Sequence, residues 1–583
     1  MNFLRNFFAS FLALVVFSLF GFFMFAIIVA AMETEGEVSV SDNSVLHINL
    51  NRPLADRSFS DPFSDLGFGG GESKKIGIIQ LKRALTHAAS DDKIEGIVLA
   101  APSLMGGFAM GSAVRQALVE FKSSGKFIMS YSDYLTEGGF YLSSVANELY
   151  ISPAGMVEWN GLSSNTPFLK GTFEKLDIKP QIFRVGTYKS AVEPLILDKM
   201  SDASRLQTTS FLNSIYNYMI SEMAPDLNLS EAALRNISDK MLVQNVKQAT
   251  EYGLITGALY KDQFLQKVAN KIEVEEAEDI EFISFQDYNK SFSTSKSSKN
   301  KIAVIIAEGD IVDGKGGKGQ IGSEKFTREI RKARENDKVK AIVLRVSSPG
   351  GSALASDLIW REVVKARESK PVIASFGNYA ASGGYYISMA ADTIVSQPNT
   401  ITGSIGIFGI VFNMGDFMAN KLGITTDGVA TGDFSGMMTS SRALTEVEKK
   451  IIQNNVEDGY ELFTSKAAEG RHMNINDLKA VASGRVWTGS QAKENGLVDI
   501  LGDLDDAIRI AAEKAGIEDD YKVRYYPEQK TALEEMIENF EGSAQAKLMK
   551  AQLGDMYPYA QMLEQVKSMK GIQARMLYDI EIK

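Results

Sequence analysis

Ser382 is a candidate nucleophile. It lies in NYAASGGYYIS (378–388), between an apolar strand-like run, KPVIASF (370–376), and a run that predicts a helix, GGYYISMAA (383–391). A serine at such a strand-to-helix elbow has an accessible hydroxyl beside the N–H groups of a helix start, which can bind an anion. The same position also suits a serine that only caps the helix. The residues by themselves leave both roles open.

A serine nucleophile needs a base, and the composition limits which residue types can supply one. The chain has no cysteine and three histidines, His47, His87 and His472. They lie in a strand-like run, a polar helical run and a loop-like run, so we interpret all three as structural or surface residues. A lysine can act as base if burial or a nearby positive charge lowers its pKa from about 10.4 toward about 7–8. Without cysteine, a thiolate nucleophile, a disulfide and a Cys-ligated zinc are excluded.

Glycines near Ser382 are candidates for an oxyanion site. The apolar, β-branched run KAIVLRVSS (340–348) predicts a buried strand, and it is followed by Gly350 and Gly351. A glycine turn can expose backbone N–H groups, and so can Gly383 directly after the serine. An acyl intermediate needs such donors at about 3 Å from its oxygen. A Gly-Gly pair that only permits a tight turn is the alternative.

The N-terminus predicts a membrane anchor. No charged residue occurs from Phe7 to Met32, a run longer than the roughly 20 residues that cross a bilayer as a helix. Arg5 precedes the run and glutamates follow it, which favours a cytoplasmic N-terminus. A cleaved signal peptide, which usually has a shorter apolar core, is the alternative. We therefore expect a single-pass inner-membrane protein whose catalytic region lies on the periplasmic side.

The rest of the chain is a tandem duplication. With 583 residues, of which 45% are hydrophobic, it is too long for one core. Apolar strand-like runs alternate with helical ones, which indicates an α/β fold. Three matching pairs are DDKIEGIVL (91–99) with NDKVKAIVL (336–344), GGFYL (138–142) with GGYYI (383–387), and QATEYGLI (248–255) with QAKENGLV (491–498). In this alignment Glu137 stands where the second copy has Ser382.

These observations divide the chain into six predicted segments. They are a cytoplasmic stub and transmembrane anchor (1–35), a connector (36–75), a first repeat (76–290), a linker (291–301), a second repeat (302–525) and a helical extension (526–583). The net charge of −11 argues against a protein that binds nucleic acid through its phosphates.

Four segments, in order along the chain, resemble the signature segments of a known family. They are GTYKSAVEP (186–194) in the first repeat and SSPGGSALAS, NYAASGGYYIS and ITGSIGIFG in the second. They look like those of signal peptide peptidase A, also called protease IV, in its long, duplicated, membrane-anchored form. The resemblance covers nearly the whole chain from about residue 40. It implies a serine-lysine dyad on an α/β fold shared with the Clp proteases and crotonases.

The resemblance also implies residue roles. Ser382 is then the nucleophile, Lys189 the general base, and Ser404 the residue that positions the lysine. Gly383 and the Gly350–Gly351 turn would form the oxyanion site. No cofactor and no metal are expected.

Each repeat holds half of this dyad. Lys189 in the first repeat aligns with Ser435 in the second, and Ser382 in the second aligns with Glu137 in the first. The split suggests an ancestral site between two identical subunits, and it predicts a closed homo-oligomeric ring such as a tetramer. The sequence leaves open whether Lys189 faces Ser382 of its own chain or of the next.

The function implied is a membrane-anchored serine endopeptidase that degrades cleaved signal peptides and other apolar peptides. Two alternatives stay open. One is a crotonase-like acyl-transfer or hydratase enzyme, against which the anchor, Lys189 and the lack of paired carboxylates count. The other is a catalytically silent membrane scaffold.

Overall fold

The computed structural model of the chain describes residues 2–33, 38–58, 75–293, 297–528 and 571–576. The predicted extension (526–583) therefore lies mostly outside the described residues, and the connector (36–75) and the linker (291–301) do so in part. Residues 44–49 of the predicted connector form a strand of the first sheet instead, because strand edges on both sides pair with them.

The described residues of the first half form nine strands. They are β1 (Ser44–Asn49), β2 (Leu54–Ala55), β3 (Ile76–Gly77), β4 (Ile94–Ala100), β5 (Phe127–Leu135), β6 (Glu148–Val157), β7 (Lys179–Val185), β8 (Gly257–Ala258) and β9 (Phe282–Ser284). Its helices are α1 (Asn2–Glu33), α2 (Ile78–Ala88), α3 (Phe108–Lys122), α4 (Glu137–Ser143), α5 (Lys170–Lys175), α6 (Glu193–Ile196), α7 (Asp202–Leu227), α8 (Glu231–Asp239), α9 (Val246–Glu251), α10 (Lys261–Lys271) and α11 (Phe285–Tyr288).

The second half follows the same alternation. Its strands are β10 (Lys301–Glu308), β11 (Asp310–Val312), β12 (Gln320–Gly322), β13 (Val339–Ser348), β14 (Gly350–Ser352), β15 (Val372–Ala381), β16 (Thr393–Ser396), β17 (Ile401–Gly403), β18 (Ile407–Asn413), β19 (Val486–Thr488), β20 (Ile500–Leu501), β21 (Lys522–Tyr526) and β22 (Ile572–Arg575). Its helices are α12 (Ser323–Glu335), α13 (Ala353–Arg367), α14 (Gly383–Tyr386), α15 (Gly415–Leu422), α16 (Glu446–Arg471), α17 (Ile475–Val481), α18 (Gly489–Glu494) and α19 (Leu504–Ala515).

Each half is built around a parallel sheet, and the two sheets have corresponding strand orders. The first runs β8-β6-β5-β4-β1-β9, and the second runs β20-β16-β15-β13-β10-β21 through its parallel pairings. The central strands are apolar because both faces of a parallel sheet are covered, as the almost fully buried β13 illustrates. The α/β class predicted from the sequence is confirmed, and the matching orders agree with a duplicated fold.

A third sheet joins the two halves. Its order is β12-β11-β14-β22-β18-β7, in which β7 of the first half pairs antiparallel with β18 of the second. This pairing brings the segment after β7 next to the segment before β18. The two carry Lys189 and Ser404.

Two predictions about the ends of the chain are affected. Within the described residues no helix is both long and apolar enough to cross a membrane, so the predicted anchor is not confirmed. The predicted helical extension is wrong at residues 572–575, which form strand β22 because strand edges on both sides supply backbone partners. The amphipathic runs that suggested helix lie outside the described residues.

Candidate active site

Ser382 occupies a strained elbow between β15 and α14. Its backbone has φ 55° and ψ −111°, a left-handed φ that a non-glycine residue rarely adopts. The Ser382 N–H donates to the Gly403 carbonyl at 2.8 Å, and the Ser382 carbonyl accepts from the Tyr386 N–H at 2.8 Å. These two hydrogen bonds hold the backbone of Ser382 in this conformation. The Ser382 hydroxyl makes no capping hydrogen bond with α14. The helix-capping alternative is therefore wrong, and strain of this kind is concentrated at functional sites.

Lys189 reaches this serine from the first half of the chain. Its Nζ lies 2.8 Å from Ser382 Oγ, 2.9 Å from the Ser404 carbonyl oxygen and 3.0 Å from Ser404 Oγ. A neutral amine has two N–H groups and one lone pair. The two N–H groups can donate to the two Ser404 oxygens, which leaves the lone pair to accept the Ser382 hydroxyl proton. The three residues named from the sequence are thus brought together within one chain.

The amine is held away from water. Lys189 is 1% exposed, Ser382 is 0% and Ser404 is 2%. Burial lowers the pKa of Lys189 well below its ordinary value, because desolvation penalises the ammonium form. A lowered pKa makes the amine available as a proton acceptor at lower pH than a solvated lysine.

Close packing by glycines fixes the lysine stem. A Cβ on Gly484 would lie 2.6 Å from the Lys189 backbone nitrogen, and one on Gly406 would lie 3.1 Å from its Cδ. Gly484 also has φ 78°, a conformation that favours glycine. Ser404, with φ 51°, donates its N–H to the Arg485 carbonyl at 2.6 Å. The second half therefore forms the pocket that the lysine enters.

Gln207 was missed by the sequence analysis. Its side-chain amide donates to the Tyr188 carbonyl at 3.1 Å and to Ser190 Oγ at 2.7 Å, and its Oε1 accepts from the Val486 N–H at 3.1 Å. The residue is 3% exposed, and it ties both neighbours of Lys189 to strand β19 of the second half. A single glutamine in a long helix carries no sequence signal for this role.

The candidate oxyanion donors differ in their surroundings. The Gly350 N–H donates to Ser348 Oγ at 3.1 Å, so it is already engaged. Gly350 has φ 100°, and a Cβ on it would lie 2.6 Å from the Gly383 nitrogen. Gly351, with φ 158°, follows in strand β14. The structure thus brings the glycine turn against the nitrogen that follows the nucleophile.

The corresponding position in the first repeat has different chemistry. Glu137 begins α4, and its carboxylate accepts from the Gly161 N–H at 3.0 Å and the Asn160 N–H at 3.3 Å. Burial raises the pKa of Glu137 to about 7. Ser435, which aligns with Lys189, is exposed in a turn. Neither residue contacts a dyad partner, so the described residues form one Ser-Lys pair.

The histidines lie elsewhere. His87 Nδ1 is 2.7 Å from the Tyr288 hydroxyl, His47 is in strand β1, and His472 ends helix α16. None of them is a hydrogen-bond partner of the dyad in the described structure. No group of acidic and histidine side chains in the described ranges could hold a metal ion.

The sequence also matches known proteins. The model of peptidase family S49 matches residues 120–275 and 365–518, once in each half. The chain belongs to this family. It is 36% identical to Protease 4 of Salmonella typhi, with 81% of this chain and 78% of that protein aligned. It is 34% identical to Protease 4 of Haemophilus influenzae, covering 85% of this chain and 83% of the relative.

A plant relative agrees with this assignment. Serine protease SPPA, chloroplastic, of Arabidopsis thaliana is 33% identical, with 82% of this chain and 70% of that protein covered. The predicted resemblance is confirmed, and this member of family S49 is a serine protease. The acyl-transfer and silent-scaffold alternatives are set aside.

A solved structure is similar only at a low level. A ClpP1 mutant from Listeria monocytogenes is 15% identical and covers 35% of this chain, with a TM-score of 0.24. A similarity of this size decides nothing about the fold. The relation to Clp proteases and crotonases stays a prediction.

Proposed function

We propose that the chain is an endopeptidase in which Ser382 is the nucleophile and Lys189 its general base. The observation that carries the proposal is the 2.8 Å separation of Lys189 Nζ and Ser382 Oγ inside a buried site. A serine hydroxyl is a weak nucleophile until a neighbouring base takes its proton. Burial lowers the pKa of the lysine, which favours the neutral amine that can be that base.

The chemistry follows from these contacts. Ser382 Oγ attacks the carbonyl carbon of the scissile bond while Lys189 Nζ takes the hydroxyl proton. The oxyanion that forms faces the Gly383 N–H at the start of α14. The Lys189 ammonium, held by the carbonyl and hydroxyl of Ser404, then gives its proton to the leaving amine. A water molecule, deprotonated by the same lysine, hydrolyses the acyl ester.

The proposed substrates are cleaved signal peptides and other apolar peptides. An extended peptide can pair with the edge of a strand while its alternate side chains enter pockets. Strand β18 borders the site and contributes the buried side chains Ile407 and Phe408. Because the packing around this strand is apolar, we propose that apolar residues lie near the cleaved bond.

We also propose that the protein is tethered to the inner membrane with its catalytic region in the periplasm. The support is the uncharged run from Phe7 to Met32 and the position of Arg5 before it. In helix α1 the side chains of Phe8, Leu12 and Phe17 are exposed, at 61%, 64% and 76%. Protease accessibility of the C-terminal region in spheroplasts tests the orientation.

A homo-oligomeric ring is the assembly we propose. Its support is a run of exposed apolar side chains that starts at the last residue of α15, where a second copy could cover them. The run comprises Leu422, Ile424, Val429, Phe434 and Met438. Sedimentation velocity should give a defined oligomer, and Val429→Asp together with Phe434→Asp should dissociate it. A wild-type monomer that is fully active at nanomolar concentration would contradict the ring.

One experiment tests the dyad directly. Wild type, Ser382→Ala, Lys189→Ala and Lys189→Arg are assayed as full-length chains in detergent with an internally quenched apolar peptide. Each variant should lose activity by a factor of about 10⁴ or more, because members of a catalytic unit act jointly. Arginine fails because it stays protonated.

Matched controls are the exposed residues Ser435 and Lys421. Ser435→Ala and Lys421→Ala should retain wild-type activity, and a serine-directed phosphonate should label Ser382 in both. Hydrolysis by the Ser382→Ala variant at a rate near wild type would refute the mechanism.

A further inference from the structure

Strand β22 lies in the cleft beside Ser382, although it belongs to the same chain. On one side it pairs antiparallel with β14, with Ala574 opposite Gly351. On the other side it pairs antiparallel with β18, with Gln573 opposite Phe408. An extended segment between two strand edges is the way in which proteins bind peptides by strand addition. The chain therefore occupies its own cleft in the manner expected of a peptide substrate.

The register of this strand brings one peptide bond to the candidate oxyanion site. A Cβ on Gly350 would lie 2.1 Å from the Ala574 carbonyl oxygen, and one on Gly383 would lie 2.9 Å from it. Gly383 directly follows the nucleophile. The carbonyl next to Ser382 is therefore that of Ala574, and the bond selected is the one between Ala574 and Arg575.

Contacts beyond this bond hold the register. Arg575 Nη2 donates to both carboxylate oxygens of Asp310 at 2.7 Å, and Arg575 is 5% exposed. The Met576 N–H donates to the Pro349 carbonyl at 2.8 Å. Ala574 is fully buried, so the site around its methyl group is small. A strand held in this way excludes another peptide from the same place.

We propose that residues 572–576 are an internal substrate, and that the dyad cleaves its own chain after Ala574. The cleavage releases residues 575–583, and before it occurs the segment competes with other peptides for the cleft. The proposal rests on the proposed Ser-Lys mechanism. It also identifies a small residue as the preferred one on the acyl side of the cleaved bond.

The reaction is an ordinary peptide hydrolysis within one chain. Ser382 Oγ bonds to the Ala574 carbonyl carbon, and Lys189 takes the hydroxyl proton. The carbon–nitrogen bond to Arg575 breaks, and Lys189 gives its proton to the new amino terminus. Water then attacks the ester and loses a proton to Lys189, which returns it to Ser382 Oγ. The products are a chain that ends in the Ala574 carboxylate and the peptide 575–583.

Intact-mass spectrometry of the full-length protein tests this proposal. Wild type should lose the mass of residues 575–583, and Ser382→Ala should keep its complete C-terminus. Ala574→Trp should slow the loss at least about tenfold, because the large ring does not fit where a methyl group is buried. Ala232→Trp, on the exposed face of α8, is the matched control and should be cleaved like wild type.

A second assay separates this inference from the proposed function. The same samples are given an external apolar peptide and the synthetic peptide GIQARM, and the processed enzyme should cut the latter after alanine. If the external peptide is hydrolysed but the C-terminus stays intact or is cut at another bond, internal cleavage is refuted alone. If Ser382-dependent hydrolysis is absent from every assay, the proposed function fails and the inference fails with it.

Discussion

Ser404→Ala removes one of the three contacts of the Lys189 amine and leaves the other two. The hydroxyl lies 3.0 Å from Nζ, whereas the Ser404 carbonyl, at 2.9 Å, belongs to the main chain and remains. A neutral hydrogen bond contributes about 0.5–1.5 kcal/mol, and one to a charged group about 1.5–3 kcal/mol. The amine becomes an ammonium as it takes the Ser382 proton, so the transition state loses about 1–1.5 kcal/mol more than the ground state. We expect kcat to fall about five- to tenfold.

The same change should alter the pH profile. Activity requires neutral Lys189, so kcat rises with pH through the pKa of this group. An acceptor oxygen stabilises the ammonium more than the amine, and its removal should lower the pKa further below its ordinary value. The acid limb of the profile should therefore move to lower pH, even though the plateau is lower.

The assay measures kcat between pH 5 and pH 10 with an internally quenched peptide. The control is Ser388→Ala, because Ser388 is a buried serine just after α14 whose hydroxyl donates to the Gly384 carbonyl and does not contact the lysine amine. Its kcat should stay within about twofold of wild type, with an unchanged acid limb. A Ser404→Ala enzyme with wild-type kcat and an unshifted limb would refute the positioning role.

Three further predictions concern charge and stability. Lys189→Met should abolish activity. It should also raise the free energy of unfolding at pH 7 by about 1–4 kcal/mol, because an apolar side chain of similar size replaces a buried ionisable group. Urea titrations measure this free energy, and a destabilised variant would contradict the prediction. Burial raises the pKa of Glu137 to about 7, so its folded form binds the proton more tightly than its unfolded form. The stabilisation that protonated Glu137 provides is therefore present below the unfolded pKa of about 4.5, and it is lost as the pH rises to about 7. Glu137→Gln has no such titration, so the free energy of unfolding of this variant should fall less at high pH, by about 1–3 kcal/mol at pH 8. Arg575→Ala removes the ion pair with Asp310 that holds strand β22 in the cleft. Because β22 then competes less with an external peptide, the apparent KM for that peptide should fall about tenfold with kcat unchanged, when freshly prepared protein is assayed. An unchanged KM would mean that the strand does not compete.

Much of the site could be predicted from the sequence, because it lies in short segments with local signals. The elbow at Ser382 follows from an apolar strand, a pair of glycines and a helical run, all within a few residues of one another. Buried strands such as β13 are evident because parallel strands covered on both faces are apolar along their whole length. The family resemblance then singled out Lys189 and Ser404, which no composition or spacing would have distinguished from other lysines and serines.

The tertiary structure decided what depends on distant segments. Lys189 and Ser382 are far apart in sequence, and only the pairing of β7 with β18 brings them within hydrogen-bonding distance in one chain. The lowered pKa of the lysine is a property of that burial, since desolvation depends on the groups packed around the amine. Gln207 and strand β22 gave no signal, because an isolated glutamine and a short segment without periodicity acquire their roles only from partners elsewhere in the fold. Local sequence thus determines the secondary-structure elements and the reactive groups. Long-range packing determines which of these groups meet, how far water is excluded from their site, and that strand β22 of the same chain occupies the cleft.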